Sequence, residues 1–407
     1  MFRAINLLAI AVIASSGSIA SADQSRCEAE CGALGAVTVV GCAAITYFTL
    51  GAASSSCTAG LAAMEICLEN CLPDETAAVS RQKTEFFGEF DDSYGFDVVQ
   101  FQPDGRALVR LSQNSGFGEW SLWGTGHRPT DRIADMNGDG LDDIVQFQPD
   151  QRILVSLSTG SAFSEWENWG TGHAPRDRFG QFDGQGGEDV IQFQSDGRAL
   201  VRSSKEGGLN DWKLWGKGHR LTDRIADMNG DGLDDIVQFQ PDQRILVSLS
   251  TGSSFSEWKN WGTGHARRDQ FGQFDGQGGD DVIQFQSDGR ALVRSSKEGG
   301  LNDWKLWGKG HRFTDRIADM NGDGLDDIVQ FQPDQRILVS LSTGSSFSEW
   351  KNWGTGHRVS DALIDLDGSF GDDAIQIQSD GRALVAKSSN GSMDNWRNWG
   401  DGHRFEP

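Results

Sequence analysis

Three nine-residue segments with the sequence Asp-Met-Asn-Gly-Asp-Gly-Leu-Asp-Asp offer closely spaced oxygen ligands, at residues 135–143, 227–235 and 319–327. Side-chain oxygens recur at positions 1, 3, 5 and 9, and glycines at positions 4 and 6 allow the backbone to wrap tightly, so that the carbonyl of position 7 can point inward. Hard oxygen donors in this number favour Ca²⁺ over Mg²⁺, which demands stricter octahedral geometry. The predicted ligands are Asp135, Asn137, Asp139, Leu141, Asp143, Asp227, Asn229, Asp231, Leu233, Asp235, Asp319, Asn321, Asp323, Leu325 and Asp327.

Related segments occupy the equivalent positions elsewhere in the chain. Residues 365–373 keep a variant of the pattern and predict a weaker calcium site made by Asp365, Asp367, Ser369 and Asp373. Residues 89–97, 181–189 and 273–281 replace ligands with serine or glutamine, which predicts loops held by hydrogen bonds or weak metal binding. An EF-hand is excluded because position 12 is Gln146 and strands flank the loop. An Asx-rich turn without metal is the alternative to a calcium site.

Aromatic and basic residues recur once per repeat and are candidates for carbohydrate binding. All 14 tryptophans form seven Trp-x-x-Trp-Gly pairs, and this spacing on a strand places the two rings on opposite faces. We expect one ring to pack between repeats and the other to offer a platform for a sugar. Each residue type also has an alternative interpretation. The rings would pack between blades, the histidines would form hydrogen bonds with the backbone, and the arginines would be solvated or paired with the aspartate of their turn. The candidates are Trp123, Trp169, Trp215, Trp261, Trp307, Trp353, Trp399, Arg106, Arg152, Arg198, Arg244, Arg290, Arg336, Arg382, His127, His173, His219, His265, His311, His357 and His403.

A single 46-residue period positions all of these groups. A strand that begins Asp-(Ile/Val/Ala)-(Val/Ile)-Gln recurs without insertion at Asp97, Asp143, Asp189, Asp235, Asp281, Asp327 and Asp373. Each repeat contains four short strand patterns joined by tight turns, and repeats 1, 3, 5 and 7 have Asp-Gly at the second turn. The prediction is an all-β, seven-bladed β-propeller of four-stranded antiparallel blades over residues 86–407. A parallel β-helix is disfavoured because it would need shorter rungs and distinct capping units.

The N-terminal region has a different composition. Arg3, an apolar run from Leu7 to Ile13 and Ala20-Ser21-Ala22 predict a signal peptide over residues 1–22 and a secreted protein. All six cysteines lie in residues 23–72, predicted to be a small disulfide-stapled α-helical hairpin, and residues 73–85 are predicted to be a linker. Two antiparallel helices would give the nested pairing Cys27–Cys71, Cys31–Cys67 and Cys42–Cys57, which is one of many possible connectivities. The C-x3-C pairs resemble the α-hairpinin scaffold.

The acidic loop motif and Phe-Gly at residues 87–88, 179–180 and 271–272 resemble FG-GAP/VCBS repeats, the units of integrin α-subunit propellers. This resemblance implies that the loop joins the first two strands of a blade and coordinates Ca²⁺. Seven whole repeats after a secretion signal are also similar to seven-bladed fungal lectins of the Psathyrella velutina type. That likeness implies a calcium-containing propeller that binds N-acetylglucosamine between blades.

Charge and repetition narrow the functional classes. A net charge of -23 excludes nucleic acid as the partner, because binding would need a basic face. Seven equivalent copies of the candidate histidines and arginines argue against an enzyme, which needs one asymmetric constellation. We predict a secreted, monomeric calcium-binding lectin for glycans or glycoproteins, with membrane contact possible only through the N-terminal hairpin. The alternative is a protein-binding adhesion or scaffold propeller of the integrin-α type without sugar specificity.

Overall fold

Each 46-residue repeat forms one complete four-stranded antiparallel sheet from consecutive strands. The computed structural model describes residues 84–404 except positions 94, 206, 298, 370 and 390. Seven such sheets confirm the prediction of an all-β, seven-bladed propeller. The predicted signal peptide, cysteine hairpin and disulfides, and most of the linker, lie outside the described residues. In the part of the chain that is described, no helix is long and apolar enough to cross a membrane.

The strand bounds repeat with the sequence period. The first strands are Glu85–Gly88, Arg132–Ala134, Arg178–Gly180, Arg224–Ala226, Gln270–Gly272, Arg316–Ala318 and Ala362–Ile364. The second strands are Asp97–Phe101, Asp143–Phe147, Asp189–Phe193, Asp235–Phe239, Asp281–Phe285, Asp327–Phe331 and Asp373–Ile377. The third strands are Arg106–Arg110, Arg152–Ser156, Arg198–Arg202, Arg244–Ser248, Arg290–Arg294, Ile337–Ser340 and Ala383–Ala386. The fourth strands are Ser121–Thr125, Glu167–Thr171, Lys213–Lys217, Lys259–Thr263, Lys305–Lys309, Lys351–Gly354 and Arg397–Gly400.

The connections between the third and fourth strands alternate between two forms. Blades 1, 3, 5 and 7 insert a short hairpin made by Ser112–Gln113 with Gly116–Phe117, Ser204–Lys205 with Gly208–Leu209, Ser296–Lys297 with Gly300–Leu301, and Ser388–Ser389 with Ser392–Met393. Blades 2, 4 and 6 have a single bridge instead, such as Ser158 with Phe163. The repeating unit of the structure is therefore a pair of blades.

Antiparallel order places the connections at two opposite ends of the propeller. The acidic loop between the first and second strands shares one end with the connection between the third and fourth strands, and we call this the acidic end. The hairpin turn between the second and third strands shares the other end with the link to the next blade. We call that end the linker end.

The hydrophobic core lies between neighbouring blades. In one cluster, Val99 and Trp123 of blade 1 pack with Ile144 and Phe163 of blade 2. Because each apolar face is buried by the next blade, the ring has to close on itself to leave no face exposed. Closure is visible where Trp120 of blade 1 donates its indole N–H to the carbonyl of Asp401 at 3.1 Å.

The candidate site: acidic loops and blade junctions

The acidic loops of blades 2, 4 and 6 fold around their own side chains. In blade 2, Asp135 accepts hydrogen bonds from the backbone N–H groups of Gly138 at 2.7 Å and Gly140 at 2.9 Å. Both glycines have positive φ, 76° and 87°, which explains why glycine occupies positions 4 and 6. Asp139 accepts from the N–H of Leu141 at 2.9 Å. The same bonds recur in blades 4 and 6.

The aspartate at position 9 is a buried structural bridge in every blade. Asp143 is fully buried and accepts from the N–H of Met136 at 2.9 Å and from the N–H of Ser158 at 2.8 Å. It therefore ties the acidic loop to the connection between the third and fourth strands. Burial raises the pKa of Asp143 to about 7 against the lowering effect of these two bonds. The equivalent residues are Asp97, Asp189, Asp235, Asp281, Asp327 and Asp373.

The predicted calcium ligands are gathered to different degrees. Among the described residues, the one group of three carboxylates whose oxygens lie within 4.8 Å of one another is Asp365, Asp367 and Asp373 of blade 7. This group already has a cation beside it, because Lys387 forms an ion pair with Asp367. In blade 2, position 3 is Asn137, whose amide donates to Asp139 at 2.9 Å. The donor chemistry of both kinds of loop is all oxygen, as Ca²⁺ prefers.

Neighbouring acidic loops are joined in a closed circle. The N–H at position 8 of each blade donates to the carbonyl at position 1 of the preceding blade, for example Asp142 to Glu89 at 2.6 Å. The circle closes with Phe96 of blade 1 donating to Asp365 of blade 7 at 2.9 Å. Burial and the carboxylates of both neighbouring blades raise the pKa of Glu188 to about 7. The carboxylates of the acidic loops of blades 2, 3 and 4 therefore interact electrostatically.

The two tryptophans of each pair differ in burial in the opposite sense to our prediction, because the second is buried and the first is partly exposed. The second tryptophan, predicted to face a sugar, is only 3–5% exposed in all seven blades. It lies at a β-bulge in the fourth strand, where Leu108 pairs with Leu122 and Ala107 pairs with Gly124. Trp123 therefore has no pairing residue on the third strand, and its side chain is buried in the core. The buried set is Trp123, Trp169, Trp215, Trp261, Trp307, Trp353 and Trp399.

The first tryptophan of each pair is half-buried at the junction with the preceding blade. Trp166 donates its indole N–H to the carbonyl of Thr125 at 3.0 Å and sits over Gly126, whose φ is 85°. An ideal Cβ at Gly126 would lie 3.1 Å from the Trp166 nitrogen, so this glycine makes room for the ring. The half-buried set is Trp120, Trp166, Trp212, Trp258, Trp304, Trp350 and Trp396. These rings are therefore partly exposed at the surface.

Four of the seven predicted histidines lie inside the junctions, in the space that the glycine after the second tryptophan leaves. His127 is 3% exposed, and its Nε2 would lie 2.5 Å from a Cβ added at Gly124. His219, His311 and His357 occupy the same space in their junctions. These side chains are too buried to contact a glycan.

An arginine that the sequence analysis did not single out fills this space at the other three junctions. Arg202 lies under Gly170, donates to the carbonyl of Thr171 at 2.7 Å and stacks 5.5 Å from the ring centre of Trp212. Its histidine, His173, turns away and contacts the carbonyl of Gln148 at 2.8 Å. Arg294 and Arg110 do the same at the junctions of blades 4 with 5 and 7 with 1. His265 turns away as His173 does, whereas His403 stays in its junction, with Nε2 3.4 Å from Arg110 and its ring centre 5.2 Å from that of Trp120. The signal was present in the sequence, since Arg110, Arg202 and Arg294 alternate with Ser156, Ser248 and Ser340.

The predicted arginines after the second turn pair with the aspartate of the same turn. Arg106 donates to Asp104 at 2.8 Å, and the two side chains are 49% and 57% exposed. Every blade has this pair, made by Arg106, Arg152, Arg198, Arg244, Arg290, Arg336 and Arg382. These arginines lie at the linker end. Arg106 pairs in the sheet with Thr125, whose carbonyl accepts the indole N–H of Trp166, so this turn is near the first tryptophan of the next blade. Exposed pairs of this kind add little stability.

Comparisons with known proteins give the chain no family. No protein-family model matches it, and no characterised protein matches its sequence. Among solved structures it resembles the Dos1 propeller, with 12% identity over 78% of this chain and 87% of that chain and a TM-score of 0.39. It also resembles dihydro-heme d1 dehydrogenase NirN in complex with DHE, at 12% identity, 78% and 74% coverage and a TM-score of 0.37. A glucose dehydrogenase matches at 10% identity, 79% and 97% coverage and a TM-score of 0.31. Likenesses of this size support no inference about activity.

Buried aspartates at the linker end predict an unusual pH dependence. Burial raises the pKa of Asp131 to about 7 and the pKa values of Asp177 and Asp269 to about 6, from 3.8. Their protonated forms are favoured in the fold, so their contribution to stability is complete below pH 3.8 and is lost as pH rises through 6 to 7. His127 opposes this only below pH 6.5, because burial lowers its pKa to about 4.

We therefore expect the melting temperature in chelator to rise by roughly 5 °C when the pH falls from about 8 to about 6.5. Thermal melts followed by circular dichroism measure this. A variant with Asp131→Asn, Asp177→Asn and Asp269→Asn should show a smaller rise. A melting temperature that is flat or falls toward pH 6.5 in the parent protein would contradict the assignment.

Proposed function

We propose that the propeller is a multivalent, secreted carbohydrate-binding protein whose sites lie at the half-buried tryptophans of the blade junctions. One observation carries the proposal: the same indole ring is held at every junction by a hydrogen bond to the preceding blade, as Trp258 is by the carbonyl of Lys217 at 3.0 Å. A ring fixed before binding loses little conformational entropy when a flat sugar face stacks on it.

Polar groups suited to sugar hydroxyls lie beside these rings. An exposed carboxylate directly precedes the tryptophan in six blades, at Glu119, Glu165, Asp211, Glu257, Asp303 and Glu349. A carboxylate can accept from two vicinal hydroxyls at once. At three junctions the guanidinium of a buried arginine stacks on the same ring and helps to fix it, as Arg294 does 5.5 Å from Trp304. Seven similar weak sites on one ring gain avidity on a glycan-covered surface without any change in the single site.

Calcium is proposed as a scaffold for this ring and not as part of the sugar site. The loops of blades 2, 4 and 6 would hold the ion through their aspartates and asparagine, and the loop of blade 7 through Asp365, Asp367 and Asp373. These loops are at the acidic end, joined by the bonds between positions 1 and 8. A bound Ca²⁺ would supply positive charge that relieves repulsion among the carboxylates and stabilises neighbouring blades together.

A glycan array run with and without a calcium chelator tests both parts. We expect glycan binding in calcium, and in chelator a melting temperature lower by roughly 10 °C. Neutralising the six junction carboxylates, by Glu→Gln or Asp→Asn, should lower apparent glycan affinity by at least roughly tenfold. The matched control neutralises six exposed turn aspartates, Asp104, Asp150, Asp196, Asp242, Asp288 and Asp334, and should leave affinity unchanged.

Three results would contradict the proposal. Absence of any glycan signal at high protein density would exclude a lectin. Equal loss of binding in the two six-residue variants would show that net charge, and not the junction, governs binding. An unchanged melting temperature in chelator would exclude the calcium scaffold.

A further inference from the structure

The two ends of the propeller carry opposite charge. The seven acidic loops contain 26 carboxylates and no lysine or arginine. At the linker end, the loops between blades contain eight arginines: Arg128, Arg176, Arg220, Arg267, Arg268, Arg312, Arg358 and Arg404. The aspartates of these loops, such as Asp223, Asp269, Asp315 and Asp361, are 1–4% exposed, so the arginines are the charged side chains of these loops that a partner would meet. The adjacent hairpin turns add no net charge, since each pairs one arginine with one aspartate.

Exposed apolar side chains lie among these arginines. Leu221, Phe313 and Val359 occupy the same position in their loops, two residues after the histidine that recurs in every repeat. Their side chains are 38%, 46% and 65% exposed. Arg267 occupies this position in the intervening loop, which follows the loop of Leu221 and precedes the loop of Phe313. Four consecutive loops of the ring therefore present leucine, arginine, phenylalanine and valine at one end of the propeller.

The loops that carry these residues are fixed to the neighbouring blade. Arg178 donates to the carbonyl of Leu221 at 2.9 Å, and Arg224 donates to the carbonyl of Arg267 at 3.0 Å. Arg316 donates to the carbonyl of Val359. The guanidinium of Arg268 lies 5.5 Å from the ring centre of Phe313. The backbone at Leu221, Arg267 and Val359 is thus fixed before binding, which lowers the entropy cost of docking onto a partner.

From this arrangement we propose that the linker end docks onto an anionic lipid membrane. Arginines attract acidic headgroups, and exposed leucine, phenylalanine and valine gain free energy by entering the boundary of the acyl chains. A soluble polyanion would use the arginines but would leave the apolar side chains in water. The proposal is independent of the carbohydrate sites and enlarges the sequence prediction, which confined membrane contact to the N-terminal hairpin.

The overall charge of -23 does not prevent this docking. A five-residue strand separates the two ends by ~17 Å, and the screening length is ~8 Å at physiological ionic strength. The acidic loops are therefore screened from a membrane at the linker end. Their charge would instead disfavour the reversed orientation.

Vesicle flotation of the full-length protein tests the proposal, with phosphatidylcholine vesicles made with and without phosphatidylserine. We expect binding that requires phosphatidylserine and that weakens with salt. The triple variant Leu221→Ser, Phe313→Ser, Val359→Ser should bind at least tenfold more weakly. The matched control is Leu122→Ser, Leu214→Ser, Leu306→Ser, which removes equally exposed apolar side chains from the fourth strands and should keep binding within twofold.

A second pair of variants tests the charge. Arg312→Glu with Arg358→Glu should abolish binding, whereas Lys205→Glu with Lys297→Glu at the acidic end should not. Melting curves that match the parent exclude unfolding in each variant. No binding to phosphatidylserine vesicles, or equal binding by the apolar triple variant and its control, would overturn the proposal. Arginine-dependent binding that a soluble sulfated polysaccharide displaces, with no effect of the apolar variant, would identify an acidic glycan as the partner instead.

Discussion

Asp235→Ala is expected to lower the free energy of unfolding by about 3–6 kcal/mol, because two buried backbone N–H groups would lose their hydrogen-bond acceptor. Asp235 is fully buried and accepts from the N–H of Met228 at 3.0 Å and from the N–H of Ser250 at 2.7 Å. Each N–H would remain buried without a partner, and the lost side chain would leave a cavity. Urea denaturation in calcium and in chelator measures the change.

The matched control is Asp242→Ala, seven residues along the same blade. Asp242 is 56% exposed and is bonded to Arg244 at 2.7 Å, so its loss should cost less than about 0.5 kcal/mol. A loss at Asp235 that persists in chelator would assign the effect to the hydrogen bonds. Equal stability of the two variants would show that the position-9 aspartate is not a structural bridge.

Gly187→Ala should separate two neighbouring acidic loops. A Cβ at Gly187 would lie 2.2 Å from the carbonyl carbon of Met136 and 2.4 Å from the carbonyl oxygen of Asp135, and backbone cannot rotate away as a side chain can. We expect the free energy of unfolding to fall by about 2–4 kcal/mol through this overpacking. The loop of blade 2 should also bind calcium more weakly, because Asp135 would move.

Gly208→Ala supplies the control within the same blade. No atom lies within 4 Å of a Cβ at Gly208, and its φ is not positive, so the added methyl meets neither a neighbour nor backbone strain. Its stability should match that of the parent. If Gly187→Ala were as stable as Gly208→Ala, the loops would not be in contact.

The fold could be predicted because a 46-residue period fixes register. Strand starts such as Asp97 and Asp143 were assigned from the repeat alone, and the glycines at positions 4 and 6 indicated the tight loops. The first strand begins at Glu85, one residue before the predicted start of the propeller at residue 86. The repeat was sufficient to predict the strand positions because each strand is short and is bounded by turns with characteristic residues.

The tryptophan roles could not be predicted, because alternation along a strand fails at a bulge. The sequence shows that Trp120 and Trp123 are three residues apart, but it does not show that Trp123 is the unpaired residue of the fourth strand. The histidines were misjudged for a related reason. The space that buries His127 is created by Gly124, and that space depends on the pairing of two blades.

The alternation of junctions has a consequence for symmetry. An arginine fills the junction of blades 2 with 3, 4 with 5 and 7 with 1, and a histidine fills the rest. Arginine-filled and histidine-filled junctions cannot alternate perfectly around a ring that has an odd number of blades. One mismatch is unavoidable, and it falls where two histidine junctions adjoin, on either side of blade 6. Blade 7 carries the local adjustment, with Ala386 where other blades have arginine or serine and Lys387 where they have leucine or serine. These substitutions in blade 7 thus allow a propeller built from two-blade repeats to close with seven blades.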